Sequence, residues 1–107
     1  MNAPVAEIPD PERWAKVWAD AITGKPPRPR RGAAPSVEPF PHRSVPDLAL
    51  VTARFSAGRK QREMLAYNTI VERQLAHEIG AKALIIVPDG DAGLKVRFLV
   101  RADREAA

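Results

Sequence analysis

RKQREMLAYNTIVERQLAHEIGAKALIIV, residues 59–87, holds a helical pattern, a stop and a strand in direct succession. Met64, Tyr67, Val71, Leu75 and Ile79 recur at intervals of three and four, the spacing that lines one side of an α-helix. The pattern predicts one long helix from Arg59 to Ile79. Gly80 follows where a left-handed C-cap is expected, because only glycine takes that backbone conformation without a Cβ clash. Ala83 to Val87 is then short, branched and apolar at every position, which reads as a strand buried on both faces and so central in its sheet.

On the N-terminal side, Leu48 to Phe55 alternates, with Ala49, Val51, Ala53 and Phe55 on one face and Leu48, Leu50, Thr52 and Arg54 on the other. Ser56-Ala57-Gly58 turns into the helix. On the C-terminal side, Pro88-Asp89-Gly90-Asp91-Ala92-Gly93 is a dense turn sequence. Leu94 to Arg101 alternates again: Leu94, Val96, Phe98 and Val100 against Lys95, Arg97, Leu99 and Arg101. The order predicts an α+β fold, a small βαββ unit over residues 47–102 with a three-stranded mixed sheet and one long helix. A right-handed crossover makes the first two strands parallel, and the hairpin sets the third antiparallel to the second. A sheet with one helical layer leaves a face to cover, either by an N-terminal helix folding back or by a second copy in a homodimer.

That N-terminal helix is predicted within residues 10–24, after a loose stretch at 1–9. Asp10-Pro11-Glu12 supplies an N-cap acceptor, a proline at the first helical position and an acid in the first turn. Trp14, Val17, Trp18, Ala21 and Ile22 share one face. A helix of roughly 12–15 residues is marginal alone in water, so this stripe must dock on something. Residues 25–46 hold seven of the eleven prolines, with Lys25, Arg28, Arg30, Arg31 and Arg43 among them. Such a composition predicts a solvated basic linker, partly polyproline-like. Residues 103–107 form a frayed polar tail.

Composition narrows the function classes. A formal charge of +4 and a pI near 10.0 over 107 residues permit an anionic partner without requiring one. The chain has no cysteine, so disulfides, thiolate nucleophiles and thiolate metal ligands are excluded. No apolar run approaches the roughly 20 residues of a membrane span, and Met1 to Pro9 resembles no secretion signal, so a cytoplasmic location is expected. The two histidines, His42 and His77, stand in no motif with a nucleophile or further ligands. Asp89 and Asp91 lack the distal glutamate of a calcium loop. Neither catalytic residues nor a metal or cofactor site is predicted, and an enzyme is not expected.

Three surfaces remain. The Trp14, Val17, Trp18, Ala21, Ile22 stripe offers a docking element on a tether. Ser56, Arg59 and Lys60, at a helix start, offer an anion site through unpaired N–H groups. Two basic faces follow, with Arg62 and Arg73 beside Arg59 and His77 on the helix, and Lys95, Arg97 and Arg101 with Arg54 on the sheet. The leading expectation is a non-enzymatic adaptor or regulator that captures a partner protein through the tryptophan helix. The alternative is a nucleic-acid-binding protein using a basic face; both faces lack aromatics, so it would grip duplex backbone rather than stack bases.

Overall fold

The two longest strands, alike in their apolar alternation, pair side by side, and everything else is arranged on that pair. The computed structural model describes residues 10, 16–18, 27–32, 34–39 and 48–101. Its elements are β1 (Arg28–Pro29), β2 (Ser36–Pro39), β3 (Leu48–Ser56), α1 (Arg59–Leu65), α2 (Thr69–Ile79), β4 (Ala83–Pro88) and β5 (Gly93–Arg101). The fold is mixed α+β. Its sheet has five strands, all antiparallel to their neighbours, in the order β1–β3–β5–β4, with β2 also on β3.

The strand order corrects the expected three-stranded mixed sheet. β5, not β4, is central: it pairs with β3 from Leu48↔Arg101 to Ser56↔Gly93 and with β4 from Ala83↔Leu99 to Pro88↔Leu94. β3 and β4 are parallel, as a crossover connection requires, but β5 lies between them. Apolar residues on both faces of β4 suggested the middle position. In the structure only Leu84 and Ile86 pack inward with the core, while Ile85 stands on the other face, 42% exposed.

The proline-rich segment is not simply a linker. Arg28–Pro29 and Ser36–Pro39 both pair with β3, along the edge that β5 leaves free. The Arg30 N–H donates to the Arg54 carbonyl at 2.9 Å, which fixes the alternation along that edge. Pro29 and Pro39 then fall at positions whose N–H would point away from β3, where a missing donor costs nothing. From Arg30 to Ser36 the edge chain advances six residues while β3 moves only from Arg54 to Thr52, so the extra residues loop out around Gly32, which sits at φ +75°.

The predicted long helix is two helices. It breaks at Ala66-Tyr67-Asn68, with Tyr67 in the left-handed region at φ 57°. Asn68 caps α2: its Oδ1 accepts from the Ile70 and Val71 N–H groups at 3.2 Å, and its Nδ2 donates to the Met64 carbonyl at 2.9 Å. The corner turns the Tyr67 N–H onto the Ile86 carbonyl, 2.7 Å away, and Glu72 Oε2 accepts the Ile86 N–H at 2.9 Å. Both outward backbone groups of Ile86 on edge strand β4 are thereby satisfied by the helical layer. The break rephases the apolar stripe, so Leu65, Val71 and Leu75 are buried while Met64 and Tyr67 are 41% and 62% exposed. Gly80 ends α2 at φ 71°, as expected.

One hydrophobic core lies between the helices and the inner sheet face. Ala49, Val51, Ala53 and Phe55 of β3 and Leu94, Val96, Phe98 and Val100 of β5 join Leu65, Val71, Leu75 and Ile86. Phe55 stands opposite Leu94 and Phe98 opposite Val51, while the small Ala49 and Ala53 face Val100 and Val96, so large and small side chains alternate along β3 in the packed layer. Lys16–Trp18 is helical, and Trp18 is only 2% exposed, its ring tilted 59° against Phe55 at 5.1 Å between centroids.

The clamp on Ile86 is testable. Glu72→Ala strands a partly buried N–H and should lower unfolding free energy by about 1–3 kcal/mol. Asn68→Ala should cost about 1–2 kcal/mol through the lost cap. Urea denaturation measures both, and Arg73→Ala, on the solvent side of α2, should change little.

Candidate binding face

Strand alternation sends half the residues of β3, β5 and β4 away from the helices, and that half has no second layer among the described residues. Register places these side chains in cross-strand rows. Glu38, Leu50, Leu99 and Ala83 form one row; Ser36, Thr52, Arg97 and Ile85 the next; Arg30, Arg54, Lys95 and Val87 the third. Arg28 stands opposite Ser56 at one end and Arg101 opposite Leu48 at the other. All of them are exposed or half-buried, whereas the intervening residues of β3 and β5 are buried.

Two kinds of surface meet here. Leu50, Leu99, Ala83 and Ile85 border a shallow concavity of about 380 Å³, with the Arg97 side chain at its rim. Around it stand Arg28, Arg30, Arg54, Lys95, Arg97 and Arg101, against Glu38 and Asp89. Arg30, Arg54 and Lys95 are neighbours across three strands, an arrangement that repels itself. Asp89 relieves part of it: Arg54 Nη1 donates to both its carboxylate oxygens at 3.0 and 3.1 Å, and Arg30 Nη1 lies 3.6 Å away. The carboxylate is held by the hairpin, where the Asp89 N–H donates to the Gly93 carbonyl at 3.0 Å, and its side chain is only 16% exposed. Arg97 meets Glu38 at 3.9 Å, a long contact between two exposed groups that contributes little. Lys95 and Arg101 form no ion pair among the described residues.

Sheet alternation thus brings Lys95, Arg97, Arg101 and Arg54 together as expected. It adds Arg28 and Arg30, which the linker reading set aside although Arg28-Pro29-Arg30 already carries a period of two. The apolar centre comes from Leu50 and Leu99, which stand in the outward set of their strands.

The other expected sites fare differently. At the helix start, the Gly58 N–H already donates to Gln61 Oε1 at 2.6 Å, the Arg62 guanidinium donates to the Ala57 carbonyl at 2.8 Å, and Arg59 pairs with Glu63 at 3.2 Å. The Gly58 N–H and the Arg59 guanidinium are therefore already engaged within the helix start, and α1 spans only seven residues. The basic arc expected along one helix is split: Arg59 and Arg62 lie on α1, Arg73 and His77 on α2, with the Tyr67 corner between. Trp14, Ala21 and Ile22 lie outside the described residues. Val17 is partly exposed, but Trp18 is spent on Phe55, so the expectation of a stripe held out for a partner is corrected at its second tryptophan. No group of His, Cys, Asp and Glu among the described residues is placed to hold a metal ion, and none of their helices is long and apolar enough to cross a membrane.

Compared with protein-family models, with curated proteins and with solved structures, the chain matches none.

Charge crowding on this face predicts a salt-dependent effect. Asp89→Asn keeps the turn's shape but removes the shared carboxylate, and should destabilise by about 1 kcal/mol at low ionic strength. In about 1 M salt most of that loss should disappear, because the Debye length falls to roughly 3 Å. Equal losses at both salts, read from urea midpoints, would assign Asp89 to turn geometry alone.

Proposed function

We propose that this chain is a non-enzymatic binding protein, an adaptor or regulator, that recognises a partner protein through the open face of its sheet. The observation that carries the reading is the accessible strip of Leu50, Leu99 and Ile85 on three adjacent strands, set among arginines. Apolar surface with arginine at its border is the composition of protein interfaces, in which arginine is enriched and lysine and acids are depleted. The working surface thus moves from the tryptophan helix, where Trp18 is occupied by the core, to the sheet.

The same cations support nucleic-acid binding as a second reading, since six on one face can meet a row of phosphates. No aromatic side chain stands on that face among the described residues to stack a base, and a central strip of Leu and Ile gains nothing against phosphate. The protein reading accounts for both halves of the surface.

A photo-cross-linking amino acid at position 85 tests the choice of surface in the cells that make the protein. A discrete, nuclease-resistant protein adduct is expected from position 85 and none from position 73 on the helical layer. Adducts from position 73 alone, or a nuclease-sensitive adduct from position 85, would contradict the proposal.

A further inference from the structure

Resting on that reading, we infer that the partner presents an acidic amphipathic α-helix, seated along β5 with its apolar stripe on Leu50, Ile85 and Leu99. Three observations lead there. The first is that both edges of the sheet are interrupted as templates for an added strand. On one side, β1 and β2 carry Pro29 and Pro39 and are parted by the excursion at Gly32. On the other, the outward N–H and C=O of Ile86 are taken by Glu72 and Tyr67. An extended segment laid across the face without edge pairing would leave its own backbone groups unsatisfied. A helix satisfies them internally and needs only side-chain contact.

The second observation is size. Strands spaced about 4.8 Å apart make β3, β5 and β4 a strip about 10 Å across, the width of one helix. Ala83 opens a gap beside Leu50 and Leu99, and the concavity of about 380 Å³ there accepts a large apolar side chain.

The third is charge. Arg54 and Lys95 stand at one end of the strip, Arg97 at its middle and Arg101 at the other end, while Asp89 and Glu38 already face arginines. A second copy meeting this face would set the same cationic excess against itself. A helix with Asp or Glu beside its apolar stripe neutralises the excess and covers the leucines together.

The test uses the full-length chain, with methyl and amide NMR spectra recorded against defined probes. The first is a helix-stapled peptide with Leu at positions i, i+3, i+4 and i+7 and Glu on both flanks. The others are the same peptide with Lys flanks, the same with Gln flanks, and a 20-base-pair DNA duplex. The Glu peptide should shift the Leu50, Ile85 and Leu99 methyls saturably, and bind at least ~10-fold more tightly than the Lys and Gln peptides. Its affinity should fall at least ~10-fold for Arg97→Glu, at an exposed position, or Lys95→Glu, at a half-buried one, each read out with unchanged inner-core methyl shifts, and again in high salt. Equal binding of the Gln or Lys peptides at these methyls would overturn the acidic assignment while leaving the face as the binding surface. Tighter binding of the duplex than of any peptide, or concentration-dependent shifts of the same methyls without a probe, would replace the helix by nucleic acid or by a second copy. Shifts confined to the helical layer, or none from any probe, would remove the face itself.

Discussion

Both outward backbone groups of Ile86 are bonded to the helical layer, and the two-sided character of the molecule depends on that clamp. Glu72 accepts the N–H and Tyr67 donates to the carbonyl. To reach that carbonyl, Tyr67 takes a left-handed conformation that costs a non-glycine residue roughly 1–2 kcal/mol, and the chain must leave the helix for three residues. The bond to β4 and the Asn68 cap on α2 offset this. In return, the register of α2 is set against the sheet: with Glu72 held at β4, Val71 and Leu75 face inward and the edge strand presents no unpaired Ile86 groups to other chains.

Placing both helices on one side makes the two faces of β5 chemically different. Phe98 is buried and its neighbour Leu99 is not; Val96 is buried between the exposed or half-buried cations Lys95 and Arg97. The inner face is completed by the helices and by Trp18 on Phe55, so the tryptophan serves cohesion. The outer face keeps its leucines and cations without a covering layer among the described residues, and crowds Arg30, Arg54 and Lys95 at a cost that Asp89 only partly relieves. A surface that repels itself and leaves apolar groups in water is poor for stability and suited to association.

Much of this was legible from the amino acids. Period-two alternation marked β3 and β5 and sorted Lys95, Arg97, Arg101 and Arg54 onto one face, because pleating alone decides which way a side chain points. Gly80 and the Pro88–Gly93 turn were equally plain, each being a local conformational requirement. Strand order was not legible: a run such as Leu84-Ile85-Ile86 says that both faces are apolar, not that both are covered, and Ile85 proved to be surface. Pro29 and Pro39 hid two edge strands, since proline excludes a central strand but not an edge whose N–H would face outward. The helix break was hidden by its own periodicity: Met64, Tyr67 and Val71 fit a continuous helix, while Asn68, a strong cap residue in the middle of that run, pointed to a second helix start. Whether a tryptophan stripe packs on its own sheet or on a partner is a tertiary question that spacing does not answer.

Among the described residues, one face of this sheet carries the helical layer and the other carries no covering layer. Methyl relaxation by a soluble, uncharged paramagnetic probe measures that difference directly on the full-length chain. Strong relaxation is expected at the Leu50, Ile85 and Leu99 methyls and little effect at Val71, Leu75, Ile86 and Val96. Protection of Leu50, Ile85 and Leu99 to the level of Ile86 would show that the chain covers this face itself, and the open sheet would no longer be a binding surface.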